Sequence, residues 1–146
     1  MRRLETFVRN YIEIKSLRVG YASASEVVRD REGDCTEHAV LLAALARALD
    51  IPARVATGIA YSPMYAGRRH VFVPHAWVLA WIDGRWQGFD AALRGFNAGY
   101  IAFATGDGDP FRFYEGIELL GSVEMLGAQR IGRRELARLA RMRRGR

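Results

Sequence analysis

One cysteine and three histidines are the residues of this chain best suited to nucleophilic or metal chemistry. Cys35 follows the Gly33-Asp34 turn and heads an alanine- and leucine-rich stretch over 39–49 that reads as a buried central helix. A thiol attacks well only as thiolate, and a free cysteine is mostly protonated near neutrality. Unpaired N–H groups and the dipole at a helix N-terminus favour the anion, so this turn suits a nucleophile. A buried cysteine in an apolar helix is also an ordinary packing residue, and position alone does not choose between the two.

A thiol nucleophile needs a base, and the base needs a third group to hold its tautomer. His75 stands in Pro74-His75-Ala76-Trp77, at the start of a run over 71–82 rich in β-branched and aromatic residues. Asp83-Gly84 follows, a strong two-residue hairpin signal, and 85–90 reads as the returning strand. Such a hairpin pairs 82 with 85, so position 90 faces 77 and position 75 faces 92. Positions two apart project from one face of a sheet. His75 and Asp90 are thereby neighbours on one face, within reach of a hydrogen bond.

The elements that must carry these residues are legible around them. Leu4, Phe7, Tyr11 and Ile14 recur at helical spacing, which predicts a helix over 3–14. Ser23-Ala24-Ser25-Glu26 matches a capping box and opens a short helix that Gly33 ends. Asp50 and Pro52 stop the central helix. A strand follows over 53–61, then a loop over 62–70 marked by Pro63 and Gly67. Further strands are expected over 100–105 and 112–126, and a terminal helix over 133–144. Helices first and an antiparallel sheet after them define the α+β class.

Gly33-Asp34-Cys35-Thr36-Glu37-His38-Ala39, then Arg47-Ala48-Leu49-Asp50-Ile51-Pro52-Ala53-Arg54, then His75-Ala76-Trp77, then Trp86 and Asp90, resembles the core of the transglutaminase-like superfamily. The resemblance covers residues 23–93. It implies a papain-like fold in which the cysteine-bearing central helix packs on an antiparallel sheet that bears the histidine and aspartate. It implies Cys35 as nucleophile, His75 as general base and Asp90 as the acid that orients it. The implied reaction is thiol attack on the amide carbonyl of a peptide or protein, giving a thioester acyl-enzyme that water or an amine resolves, with no cofactor. Small bacterial-looking domains of this kind resemble hydrolases more often than crosslinkers, which favours hydrolysis. A protein-glutamine acyltransferase and a non-catalytic binding module are the alternatives.

The family pattern is not followed everywhere. Leu79 stands where an acidic residue is common, and Asp50 where glycine often precedes Ile-Pro. No tryptophan precedes Cys35 to help hold an oxyanion. The Cys35 backbone N–H is then the first donor, with Tyr11 or Tyr21 as substitutes for the second. A zinc site from Cys35, His38 and His75 is the rival use of the same residues. The i, i+3 spacing of Cys35 and His38 points both side chains along the helix, so His38 and Glu37 read as structural and no metal is expected. His70 reads as exposed in its loop and Arg54 as a surface charge. Trp81 reads as sheet packing, whereas Trp77 and Trp86 are placed to shield His75 and Asp90.

The chain is 146 residues long, half of them hydrophobic, which suits one domain with one core. The expected division is a domain over 1–129 and a basic C-terminal helix or tail over 130–146. The formal charge of +6 lies in that tail, where the only acid is Glu135, and the rest of the chain is near neutral. A basic tail can attract phosphate or anionic lipid, but nucleic acid is not the expected partner. A lone cysteine excludes an intrachain disulfide and a multi-cysteine metal site. Without a signal-peptide core or a span of ~20 apolar residues, the cytoplasm is the default location, and export is expected only if the chain is part of a longer protein. Nothing in the pattern fixes an oligomeric state.

Overall fold

The computed structural model describes residues 1–18, 20–93, 95–109, 118, 121–124 and 126. Three helices come first, α1 (Arg2–Tyr11), α2 (Ala24–Asp30) and α3 (Cys35–Arg47). Four strands follow, β1 (Ala53–Tyr65), β2 (Arg68–Ile82), β3 (Arg85–Phe89) and β4 (Tyr100–Gly106), in one antiparallel sheet of order β3-β2-β1-β4. This is the expected α+β arrangement.

α1 is shorter than its apolar spacing predicts. Ile12 is already extended, and it is buried while Ile14 is exposed. Ile14 instead forms a parallel bridge with Glu32, and its carbonyl accepts from the Gly33 N–H at 3.0 Å. The exits of α1 and α2 are thus tied together immediately before α3. The capping box at Ser23 and Glu26 forms as expected, and α2 closes at Arg31, which takes the left-handed conformation.

α3 is buried on nearly all sides, as its composition requires. It packs against α1 and α2 and against β1 and β2. Leu41, Leu42, Ala43 and Ala46 form the core with Val8, Val27, Val55, Ala76, Val78 and Phe89. Asp50 turns the chain out of the helix at φ 55°, a conformation that short polar side chains tolerate. Arg47 then donates twice to the Ala53 carbonyl, at 3.0 and 2.8 Å, and once to that of Asp107 at 2.5 Å. The end of α3 is thereby fixed to the start of β1 and the exit of β4.

The hairpin at Asp83-Gly84 has the expected register, from Ile82↔Arg85 to Val78↔Phe89, and both turn residues have positive φ. The loop expected over 62–70 is a correction. β1 and β2 continue through it, with Ser62↔Val71 and Tyr65↔Arg68, and reverse at Ala66-Gly67, again with positive φ at both positions. Pro63 fits because, among the described residues, β4 pairs with 55–60 of β1 and the last bond on that side is from the Tyr61 N–H to the Gly99 carbonyl at 2.8 Å. The strand expected over 112–126 falls mostly outside the described residues, and Glu118 and Gly121 within it are helical. The expected terminal helix and basic tail lie wholly outside them.

Candidate active site

The N-terminus of α3 is held by side chains of its own first turn. Asp34 is the N-cap, and its Oδ1 accepts from the Thr36 N–H at 2.8 Å. Glu37 completes the capping box by accepting from the Asp34 N–H at 2.9 Å, and its other oxygen accepts from the Ala22 N–H at 3.1 Å. Burial pushes the Glu37 carboxyl up, against the hydrogen bonds that hold it. Gly33 is required here, because a Cβ at that position would collide with the Glu37 side chain. His38 is buried and its Nδ1 donates to the Asp34 carbonyl at 2.5 Å. Burial lowers its pKa, so its ring is neutral. His38 secures the neck of the helix, in the structural role expected of it.

Asp90 is the first residue beyond β3. Its N–H donates to Glu5 Oε1 at 2.8 Å, and its carbonyl accepts from Arg9 at 2.9 Å. Arg9 also donates to the Leu93 carbonyl at 2.9 Å. Asp90 Oδ1 accepts from the Ala92 and Leu93 N–H groups at 2.8 and 2.9 Å, a local turn typical of aspartate. Oδ2 is left for His75 Nε2 at 2.7 Å and for the Tyr100 hydroxyl at 2.6 Å. The His75–Asp90 neighbourhood derived from hairpin geometry is therefore present.

Cys35 is half-buried at the first position of α3, near enough to the His75 ring to act on its charge. Because Nε2 serves Asp90, Nδ1 is the nitrogen left for Cys35. Burial alone would pull the His75 pKa down. The hydrogen bonds and charges of Asp90 and Cys35 outweigh it and raise the value to about 9. Burial alone would likewise raise the Asp90 pKa, but His75, Tyr100 and the Leu93 N–H hold it below the usual carboxylate range. The result is a half-buried thiol beside a buried imidazole–carboxylate pair.

Other candidates lie elsewhere. Tyr11 donates to the Val28 carbonyl at 2.9 Å and Tyr21 to that of Gly108, so both hydroxyls suggested for an oxyanion are already engaged. Trp77 is buried with its ring 6.3 Å from His75, as expected of a shield. Trp86 is not a shield, since it packs edge-to-face on Trp81 at 5.4 Å, both partly exposed, under the Arg54 guanidinium. His70 is exposed but lies in β2, hydrogen-bonded to Tyr61 at 2.6 Å.

Sequence reasoning missed Glu5, Arg9 and Tyr100. A signal for Glu5 was present, because it shares a helical stripe with the buried Val8 and Ile12, and an acid on such a stripe needs a partner.

The family model of the transglutaminase-like superfamily matches residues 1–91, more than half of the chain and a span that ends just past Asp90. The chain belongs to the transglutaminase-like superfamily. The crystal structure of a putative cysteine protease from Cytophaga hutchinsonii is similar to it, with 32% sequence identity and a TM-score of 0.60. That likeness covers 73% of this chain and 35% of the other, so the chain spans about a third of the length of that protein. No curated protein matches the chain. Superfamily membership and this neighbour together support a cysteine enzyme. Among the described residues no helix is long and apolar enough to cross a membrane.

Proposed function

We propose that this domain hydrolyses peptide or other amide bonds through Cys35, with His75 as general base and acid and Asp90 orienting it. The observation that carries the reading is the buried His75–Asp90 pair, bonded at 2.7 Å, with Cys35 at the first position of α3 acting on His75. With His75 protonated at neutral pH, its Nδ1 already holds the thiol proton, and sulfur attacks the carbonyl carbon as thiolate. The N–H of Cys35, unused by the helix because it lies in the first turn, is aimed at the developing oxyanion. His75 returns the proton to the leaving nitrogen, the C–N bond breaks, and a thioester remains on Cys35. Water, deprotonated by His75, then releases the acid and regenerates the thiol.

The test is incubation with amide-linked fluorogenic peptides, followed by mass spectrometry of the protein. An acyl adduct at Cys35, amine release and loss of both in Cys35→Ala support the reading. Turnover that survives Cys35→Ala would exclude it. Adding a labelled amine separates hydrolysis from acyl transfer, because a hydrolase yields free acid and a crosslinker yields the labelled amide.

A further inference from the structure

Both oxygens of Asp90 are fully used, but in different ways. Oδ1 accepts from the backbone N–H groups of Ala92 and Leu93, which anchor the carboxylate to its own turn. Oδ2 is shared between His75 Nε2 at 2.7 Å and the Tyr100 hydroxyl at 2.6 Å. A hydroxyl directed at the same oxygen as an imidazole N–H draws off part of the negative charge the imidazole would otherwise feel. Tyr100 is held for this task. Its ring lies edge-to-face on His75 at 5.7 Å and on Trp77 at 5.3 Å, and packs on Phe96 at 4.5 Å. The hydroxyl has a second, longer acceptor in the Gly95 carbonyl at 3.3 Å. Burial and Asp90 push the Tyr100 phenol above its ordinary range, so it remains a donor wherever the fold survives.

We propose that Tyr100 is a positioning residue acting through Asp90: it fixes the carboxylate beneath His75 and limits how tightly that carboxylate holds the imidazolium. The inference rests on the function proposed above. A proton held too tightly by His75 would be delivered slowly to the leaving nitrogen, because transfer works best when the donor's affinity is matched to the operating pH. Other titratable or charged groups around the pair are Cys35 and His38 on α3 and Glu5 and Arg9 on α1, with Lys15 close to His38. The substitutions below leave all of them in place.

The test is NMR of the whole chain with 15N-labelled histidine, following the Nε2–H proton and the titration of His75. Tyr100→Phe keeps the ring and removes the hydroxyl. It is expected to move the Nε2–H proton downfield and the His75 titration to higher pH. Replacing Tyr100 by 3-fluorotyrosine, a stronger donor in the same place, is expected to move both the other way. If Tyr100→Phe does not fold, the fluorinated variant decides alone. Resonances that stay put, or that move in the same direction in both variants, would overturn the role of Tyr100. Amide turnover that survives Cys35→Ala would remove the proposed function and this inference together. Turnover lost in Cys35→Ala, with resonances unmoved in both Tyr100 variants, would sink this inference alone.

Discussion

Asp90 is bonded on every side. Its N–H donates to Glu5, its carbonyl accepts from Arg9, one carboxylate oxygen caps the next turn and the other receives His75 and Tyr100. The hydrogen bond from His75 to this carboxylate, together with its charge, is the main attraction that keeps His75 protonated against burial. Asp90→Asn is therefore expected to bring the His75 titration down from about 9 toward its ordinary 6.5, read by NMR. Amide hydrolysis should fall at least about tenfold with it, the worth of one charge-assisted hydrogen bond. The same pair also sets a pH dependence of stability. His75 is raised in the folded state, so its contribution is complete below 6.5 and is lost as pH rises through about 9. Asp90 is lowered, so its contribution is complete above its ordinary value of 3.8 and is lost on further acidification. In urea titrations the difference in stability between wild type and His75→Gln should shrink steadily as the pH is taken from 6.5 to 9. A constant difference would contradict the raised value.

At the scale of elements, the N-terminus of α3 and the turn after β3 must be held against each other. Gly33 lets the Glu37 side chain pass close enough to bond both the Asp34 and Ala22 N–H groups. Gly33→Ala should displace that carboxylate, leave buried donors unpaired and cost about 1–3 kcal/mol in urea unfolding. α1 is the second clamp, with Glu5 and Arg9 reaching the backbone of Asp90 and Leu93 from successive turns. Arg9→Ala should speed amide exchange at residues 90–93 while leaving α3 protected, and uniform protection would contradict the clamp. α3 itself depends on packing. Leu42 is fully buried, and Leu42→Ala should lower stability by roughly 2–5 kcal/mol with little change in the denaturant slope.

At the scale of the whole molecule, local patterns translated into structure well. The capping box at Ser23, the Asp83-Gly84 reversal and the register through Val78↔Phe89 are short-range features, and each is readable from neighbouring residues. The pairing of His75 with Asp90 followed from that register by counting. The Ala66-Gly67 hairpin is hidden in the sequence because Pro63 and the arginines around it mimic a loop, and the proline is tolerated because, among the described residues, β4 pairs with β1 only over 55–60. Glu5, Arg9 and Tyr100 reach Asp90 across large or irregular separations, through elements whose packing no periodicity specifies. The chain covers only about a third of its Cytophaga hutchinsonii neighbour, and the likeness bears on the shared body alone.

Alkylation of Cys35 by iodoacetamide near neutral pH, compared between wild type and His75→Ala, tests the thiol–imidazole partnership most directly. The partnership predicts that His75→Ala slows alkylation by about a hundredfold or more, the usual worth of a positioned base, with the fold retained by circular dichroism. Equal rates in the two folded proteins would contradict it.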